Sequence, residues 1–460
     1  MADLMEKTLN RLAQQVQGRL SVAGDDDFTA ATAIWAKPAG GLPRAVVHCR
    51  TPQEVQHAVR AARDCDMPLS VRGGGHDWAG RALCAGIVID VSRMNHVAIG
   101  RDDRTIRIAG GARASDAAAA TDAVGAAVVT GSVGAVGMAG LTLGGGYGPL
   151  IGRFGLALDN LLLAEVVLAD GRIVVATHDR ERELFWALRG GGGNFGVVTD
   201  MRHRLHDVPC VRSGLLVYPF AEAKSVLEDA AEIASAAPAA LTIQLGAVSG
   251  SDGPPVVFIA PTWCGEPEHG EAQTAPFRSL GTLLADTVQT IPYGVALTTF
   301  DGYLVNGQRV FMETCSVPTL GSNIIESFVA SMASAPSRGC AILTHEFKGA
   351  ASCVPAGSTA FGLRRDHVLI EILASFPDRS DPHDEAQHRR WTRETRQRFD
   401  ATALPGGYPN FLAPGDTQRA AQSYGRNAEL LVQAKRRYDP DNVFHSAIPL
   451  PAGAATADAA

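Results

Sequence analysis

The sequence has few aromatic residues and no long apolar segment. Aromatic side chains make up 6% of the 460 residues and charged side chains 19%. No run approaches the roughly 18 consecutive apolar residues that indicate a transmembrane helix. The N-terminal residues also lack the continuous apolar stretch of a signal peptide. These absences predict a cytoplasmic protein without a membrane partner.

An excess of positive charge is also missing. The chain has 41 Lys and Arg against 48 Asp and Glu, a formal net charge of −7. No dense basic patch is interleaved with aromatic residues, as a nucleic-acid surface would require. We therefore expect no nucleic-acid partner.

Paired cysteines and metal-ligand spacings are absent. The eight cysteines are widely spread and include no CxxC pair, so they predict free thiols. His383 and His388 lie in a charged segment, but their spacing does not bring them to one face of a helix. This segment is interpreted as a solvated helix with Trp391 buried, and no metal site is predicted.

Several nucleotide and hydrolase motifs are missing as well. The sequence contains no GxxxxGK[ST] phosphate loop and no GxSxG nucleophile elbow. A formal GxGxxG spans Gly191 to Gly196, but Val197-Val198-Thr199 follows it and favours a strand over a helix. This segment is therefore interpreted as a turn into a strand, and a Rossmann site is not predicted.

Glycine, in contrast, is abundant and concentrated. The chain has 49 glycines, about 11% against a usual 7%. Residues 131–148 contain eight of them in 18 positions, which predicts a loop that approaches another group closely. In the segment RGGGHDWAG, His76 directly follows three glycines. A neutral imidazole there is either a nucleophile or a structural histidine, and the local residues leave both interpretations open.

Six segments in order resemble the berberine-bridge-enzyme-like FAD-linked oxidases of the vanillyl-alcohol-oxidase superfamily, in particular the bacterial 6-hydroxy-D-nicotine oxidase type. The resemblance covers nearly the whole chain. It is carried by RGGGHDWAG (72–80), VGMAGLTLGGGYG (136–148), RFGLALDN (153–160), ELFWALRGGGGNFGVV (183–198), YPNF (408–411) and YDPDNVF (438–444).

The resemblance implies an α+β fold. A PCMH-type FAD-binding domain of two subdomains is joined to a substrate domain, in which helices cover an antiparallel sheet. The expected divisions are a first part of the FAD-binding domain at 1–210, the substrate-binding domain at 211–400, a C-terminal return to the FAD domain at 401–450, and a disordered tail at 451–460.

The resemblance also implies that His76 carries FAD covalently through the flavin 8α-methyl group. Many relatives form a second link through a cysteine, but the matching residue here is Val133, so a single tether is expected. Val136 matches the oxygen-gate position, where a valine-sized side chain is associated with oxidases. The other expected FAD contacts are Arg72, Gly73, Gly74, Gly75, Asp77, Thr130, Gly131, Gly137, Gly140, Gly144, Gly145, Gly148, Gly196, Val198, Asn410, Asn442 and Phe444.

Two residues are candidates for the proton acceptor. Tyr408 matches the tyrosine of a family YxN element, although a phenol with a pKa of about 10 is a poor base at neutral pH. Glu346 lies on a predicted strand at 341–348, on the same face as Thr344 and Lys348. That face is interpreted either as catalytic or as solvated. Pocket-lining roles are suggested for Tyr293, Tyr303 and Arg364.

The resulting hypothesis is an FAD-dependent oxidase with a small-molecule substrate. It would oxidise an alcohol, an amine or a natural-product intermediate by hydride transfer to flavin N5, and reduce O2 to H2O2. The alternatives are a flavin dehydrogenase, an oxygenating or oxidatively cyclising enzyme of secondary metabolism, and a catalytically silent flavin-binding protein. Either a monomer or a homodimer is expected.

Overall fold

The computed structural model of the chain describes residues 2–17, 19–37, 41–101, 104–249, 254–377 and 381–453. From residue 454 onward, the predicted tail lies outside the described residues. The strands are β1 (Leu20–Ser21), β2 (Ala45–His48), β3 (Leu69–Arg72), β4 (Ile87–Asp90), β5 (Val97–Ile99), β6 (Thr105–Ala109), β7 (Ala126–Ala127), β8 (Leu161–Val167), β9 (Ile173–Thr177), β10 (Val197–Arg204), β11 (His206–Asp207), β12 (Val211–Ser213), β13 (Leu216–Pro219), β14 (Leu241–Ser249), β15 (Pro255–Trp263), β16 (Ala285–Asp286), β17 (Gln289–Ile291), β18 (Arg309–Val317), β19 (Cys340–Phe347) and β20 (His367–Phe376).

The α-helices lie between and around these strands. They are α1 (Ala2–Gln15), α2 (Asp26–Thr32), α3 (Pro52–Asp64), α4 (Ala114–Asp122), α5 (Met138–Gly144), α6 (Ile151–Phe154), α7 (Arg182–Leu188), α8 (Ala223–Ala236), α9 (Gly270–Thr274), α10 (Tyr293–Ala296), α11 (Ser322–Ala333), α12 (Ala350–Cys353), α13 (Pro382–Arg398), α14 (Thr417–Tyr424) and α15 (Ala428–Tyr438).

A small sheet near the N-terminus positions the first glycine segment. Its strands follow the order β1-β2-β4-β3, and β4 pairs in parallel with both β2 and β3. Strands β2 and β4 are buried along their whole length, as is usual for parallel strands. The connecting helix α3 begins at a cap in which the hydroxyl of Thr51 accepts a hydrogen bond from the backbone N–H of Glu54. Strand β3 then ends at Arg72 and delivers the chain into the three glycines before His76.

A second, antiparallel sheet has the order β5-β6-β10-β8-β9. The hairpin between β8 and β9 turns at Asp170-Gly171, where Gly171 has φ +82°. The glycine-rich segment 131–148 packs beside this sheet. It is not a loop throughout, because residues 138–144 form α5 and bury Met138 and Leu143 in the core.

The largest sheet lies within residues 211–376 and has nine strands in the described part of the chain. Its longest path runs β16-β13-β15-β14-β19-β20-β18, with antiparallel pairing. Helices α8, α11 and α13 share a core with one face, which contributes Ile342, Ile370 and Ile372. Alternation along β19 and β20 turns the intervening side chains to the opposite face. This mixture of helices and sheets confirms the predicted α+β fold class, while the predicted domain limits stay a prediction.

The last two α-helices of the described residues pack beside the sheet of β8 and β10. They are α14 and α15, and the chain turns between them at Gly425, where φ is +52°. Side chains of both helices, including Tyr424 and Leu431, join the core of this sheet. Among the described residues, no helix is long and apolar enough to cross a membrane.

Candidate active site

A cavity of about 740 Å³ lies between the glycine segments and the nine-stranded sheet. One wall is formed largely by backbone. Its glycines are Gly73, Gly74, Gly75, Gly110, Gly131, Gly137, Gly140, Gly192, Gly193 and Gly196.

His76 lies on this glycine wall and stacks against Trp35. The two ring centroids are 4.5 Å apart and the ring planes differ by 3°. Burial lowers the pKa of His76 to about 4, against an ordinary 6.5. The imidazole is therefore neutral at physiological pH, which is the form that acts as a nucleophile.

The turn that carries His76 is anchored to the C-terminal segment. Asp77 and Arg81 form an ion pair of 2.8 Å, and Arg81 also donates to the backbone carbonyl of Asn410 at 2.8 Å. The indole N–H of Trp78 donates to the same carbonyl at 3.0 Å. These contacts hold the His76 turn against the segment around Asn410.

The glycine wall fits a large cofactor that contacts the backbone. A Cβ on Gly74 would lie 2.4 Å from the backbone nitrogen of Gly137, so the two glycine segments touch directly. A Cβ on Gly140 would have no protein atom within 4 Å, because this residue faces the open cavity. A narrow backbone junction beside an open, glycine-lined space suits the phosphates and the flat ring system of FAD.

Tyr408 and Asn410 close one end of the cavity. The Tyr408 hydroxyl accepts a hydrogen bond of 2.7 Å from the backbone N–H of Gly146. Burial raises the pKa of this phenol to about 12, which makes it a weaker base than an ordinary tyrosine. The Asn410 amide donates to the carbonyls of Gly140 and Leu141, at 3.3 Å each, and so ties this segment to α5.

The opposite wall is formed by side chains of the nine-stranded sheet and carries a buried histidine-carboxylate pair. The Nε2 atom of His345 lies 3.1 Å from Oε2 of Glu371, and both side chains are almost completely buried. Because a carboxylate accepts hydrogen bonds, we assign the proton to Nε2, which leaves a lone pair on Nδ1. Among the described residues Nδ1 has no hydrogen-bond partner, and the ring lines the cavity.

Tyr147 packs between this pair and the end of the cavity at Tyr408. Its ring centroid lies 4.5 Å from that of His345 and 5.0 Å from that of Tyr408. Burial, together with the charge of Glu371, raises the pKa of Tyr147 well above 10. Tyr147 is therefore a neutral phenol, and the histidine is the better proton acceptor of this cluster.

Glu346, the second candidate for the proton acceptor, does not line this cavity. The alternation of β19 turns His345 to the cavity, and Glu346 lies on the other face. Its carboxylate accepts from the backbone N–H of Ile243 at 2.9 Å and from Lys348 at 3.3 Å. Glu346 borders a chamber of about 40 Å³ that His345 also lines.

Three expected FAD contacts point away from the cavity. Arg72 forms a buried ion pair with Asp90 at 3.1 Å. The Thr130 hydroxyl lies 2.7 Å from that of Tyr293, and both side chains are in the core. Asn442 terminates the turn after α15 with φ +50° and does not line the cavity.

Three further glycines of the expected FAD contacts do not line the cavity and pack closely within the protein. A Cβ on Gly145 would lie 2.5 Å from the ring of Tyr408, and one on Gly144 would lie 2.1 Å from the amide oxygen of Asn410. A Cβ on Gly148 would lie 2.6 Å from the backbone carbonyl oxygen of Thr130. Gly144 and Gly145 therefore leave room for the side chains that close the cavity.

The other predicted site residues do line the cavity. They are Gly73, Gly74, Gly75, His76, Asp77, Gly131, Val136, Gly137, Gly140, Gly196, Val198, Tyr408, Asn410 and Phe444. Of the three suggested pocket residues, Tyr303 lines it. Tyr293 does not, and Arg364 pairs instead with Asp159 at 2.7 Å.

Five residues that line the cavity were missed by the sequence analysis. Trp35, Tyr147, Gln244, His345 and Glu371 all line the cavity. For Tyr147, its place inside the GGGYG segment was an available signal. For the pair of His345 and Glu371, the strand pairing itself is needed. Among the described residues, no group of His, Cys, Asp or Glu side chains is arranged to hold a metal ion.

Two family models and several known proteins match this chain. A family model described as an FAD binding domain matches residues 43–177, and one described as berberine and berberine like matches residues 407–451. The chain is 36% identical over 195 residues to (R)-6-hydroxynicotine oxidase of Paenarthrobacter nicotinovorans, covering 42% of this chain and 43% of the relative. It is 27% identical to an FAD-linked oxidoreductase of Dictyostelium discoideum, covering 95% of both chains.

Solved structures show the same fold. The structure of 6-hydroxy-D-nicotine oxidase from Arthrobacter nicotinovorans matches with a TM-score of 0.83 and 26% identity, covering 93% of this chain and 97% of the other. The structure of a berberine bridge enzyme variant in complex with (S)-reticuline matches with a TM-score of 0.84 and 19% identity, covering 95% and 97%.

Proposed function

Because the chain belongs to the berberine-bridge-enzyme-like FAD-linked oxidoreductases, we propose that it is an oxidase with FAD attached to His76. We propose further that it oxidises a small alcohol, amine or natural-product intermediate. The main observation behind this proposal is that the glycine wall and the wall of the nine-stranded sheet face each other across one cavity. Neutral His76 lies on the glycine wall, and the histidine-carboxylate pair lies on the other.

The glycine wall would hold the cofactor. Gly73 to Gly75, Gly137 and Gly140 supply backbone surface, and His76 supplies the attachment point. FAD held there would supply a hydride acceptor for the substrate and a route for the electrons to dioxygen.

The sheet wall would manage the proton of the substrate. The lone pair on Nδ1 of His345 accepts the hydroxyl or amine proton as the substrate C–H bond breaks. Glu371 holds the ring through Nε2 and stabilises the positive charge that the imidazole gains. Tyr408, with its raised pKa, stays protonated and donates a hydrogen bond to the substrate instead of removing a proton.

Two valines support an oxidase with a single tether. Val133, at the position of the second covalent link in many relatives, lines the cavity, and its side chain has no sulfur to form a thioether. Val136 also lines the cavity and leaves the space that is associated with oxygen access in oxidases. A relative named as an oxidase, (R)-6-hydroxynicotine oxidase, favours the same conclusion over a dehydrogenase.

The tether is tested by acid precipitation of the purified protein. We expect the flavin to stay with the precipitated wild-type chain and to be released from the His76→Ala variant. His178→Ala, at an exposed histidine, is the matched control and should keep its flavin. Release of the flavin from the wild-type chain would overturn the covalent link.

The oxidase activity is tested separately. Alcohols and amines are screened anaerobically for bleaching of the flavin, and each hit is then exposed to air while peroxide is measured. An oxidase reoxidises and releases peroxide. Bleaching that persists in air would show a dehydrogenase, and the absence of bleaching with every compound would favour a silent flavin-binding protein.

A further inference from the structure

Trp35 contacts His76 through both its ring and its backbone. Besides the parallel ring stack, the backbone N–H of Trp35 donates to the carbonyl of Gly75 at 2.9 Å. Gly75 immediately precedes His76 and has φ +73°, a conformation that glycine adopts without strain. Trp35 therefore holds the main chain before the histidine as well as its imidazole.

The segment that carries Trp35 is held from the other side by a loop that leads into β18. The backbone N–H of Gly307 donates to the carbonyls of Ile34 and Trp35, at 3.0 Å each. The backbone N–H of Lys37 donates to the carbonyl of Gln308 at 2.8 Å. Trp35 is 8% exposed, and backbone hydrogen bonds on both sides hold its segment.

This geometry suits a reaction at the edge of the imidazole. The nucleophilic lone pair of a neutral imidazole lies in the plane of the ring, and the indole covers only a face. Stacking therefore restricts rotation of the ring without blocking its nitrogen. Among the described residues the imidazole of His76 has no hydrogen-bond partner, so the stack is its main side-chain restraint.

We propose that Trp35 is a positioning residue for covalent attachment of FAD to His76. The inference rests on the proposed function, because it requires the tether. In the attachment, the unprotonated imidazole nitrogen forms a bond to the flavin 8α-carbon, the 8α-carbon loses one hydrogen, and the other ring nitrogen loses its proton. The two electrons and two protons pass to dioxygen and leave as hydrogen peroxide. An imidazole that rotates freely reaches the reacting geometry less often and reacts more slowly.

The test follows attachment over time in the full-length chain. Protein is purified at intervals after induction, and flavin in the acid-precipitated chain is measured against flavin released to the supernatant. Trp35→Leu should attach FAD about 10- to 100-fold more slowly while still binding it, so that released flavin predominates. Trp35→Phe keeps a flat ring and should attach FAD at close to the wild-type rate.

The matched control is Trp263→Leu, which removes a tryptophan that is also 8% exposed but lies in the nine-stranded sheet. Its attachment rate should equal that of the wild-type chain, and an equal loss there would overturn the proposal. Attachment at the wild-type rate in Trp35→Leu, or equal losses in the Leu and Phe variants, would also overturn it. If Trp35→Leu fails to fold, Trp35→Met takes its place with the same expected outcome. A wild-type chain that releases all its flavin would instead overturn the proposed tether itself.

Discussion

The two walls of the cavity differ in the atoms that form them. The wall around His76 is mostly backbone, because glycines bring two chain segments into direct contact at Gly74 and Gly137. The facing wall is made of side chains from adjacent strands, with His345 on β19 and Glu371 on β20. Backbone contacts can hold the same cofactor in chains with different side chains. The chemistry of a wall made of side chains, in contrast, can change through single substitutions.

Two buried histidines, one in the cavity and one in the core, have different surroundings. His345 has a carboxylate partner at 3.1 Å. His203, on β10 and outside the cavity lining, is fully buried, and neither of its ring nitrogens has a hydrogen-bond partner in the described part of the chain. The first arrangement supports proton transfer, whereas the second only costs stability, since an unpaired polar group in the core is unfavourable.

The largest expected effect comes from removing the histidine of the side-chain wall. His345→Ala should lower the rate of flavin reduction by about 10²- to 10⁴-fold, because the substrate proton loses its acceptor. The measurement is anaerobic stopped-flow reduction with a substrate found by bleaching. His367→Gln is the control, since this histidine lies on the neighbouring strand β20 but does not line the cavity. A His345→Ala variant that reduces its flavin at the wild-type rate would contradict the assignment.

Substitution of the partner carboxylate, Glu371, should lower the rate of flavin reduction by a smaller factor. Glu371→Gln keeps an oxygen that accepts from the imidazole but removes the negative charge, so the rate should fall about 10- to 100-fold, as is usual when the partner that orients a histidine is changed. Glu346→Gln, on the opposite face of β19, should reduce its flavin at the wild-type rate. The same stopped-flow experiment compares the two variants. An equal loss in the rate of flavin reduction would contradict the claim that only the cavity-facing side chains of the sheet take part in the reaction.

The residues of the glycine wall could be predicted from the sequence, and the histidine-carboxylate pair of the sheet wall could not. The glycines and His76 are neighbours along the chain, so a local motif identifies them. The alternation along β19 was also predicted correctly, but both of its faces carry polar and apolar residues. The choice between His345 and Glu346 depends on which face packs under the helices. Glu371 comes from another strand, 26 residues further along, and only the pairing of β19 with β20 brings it to His345.

Two glycine-to-alanine substitutions on the glycine wall should have different effects, one on the stability of the fold and the other on flavin binding. Gly74→Ala would force its Cβ against the backbone of Gly137, which cannot yield as a side chain would, and should lower the free energy of unfolding by about 3 kcal/mol. Gly140→Ala points into the open cavity and should keep its stability but bind less flavin. Denaturant unfolding and flavin content of each variant check this, with exposed Gly357→Ala as the control. Equal stability of the Gly74 and Gly140 variants would contradict the direct contact between the glycine segments.

The unpartnered His203 makes the free energy of unfolding sensitive to acid. Burial lowers the pKa of His203 to about 4, whereas in the unfolded chain it titrates at the ordinary 6.5. Between these values the unfolded state binds more protons, so the free energy of unfolding falls as the pH drops through this window. Near pH 5 this histidine should cost about 2 kcal/mol relative to neutral pH. His203→Leu removes the titrating group and should lessen the loss by that amount, as measured by denaturant unfolding at neutral pH and near pH 5. If the variant loses as much stability at acid pH as the wild-type chain, the acid sensitivity arises elsewhere. His345→Leu is the informative contrast, because it would leave the charge of Glu371 buried without its partner and should destabilise the protein at neutral pH as well.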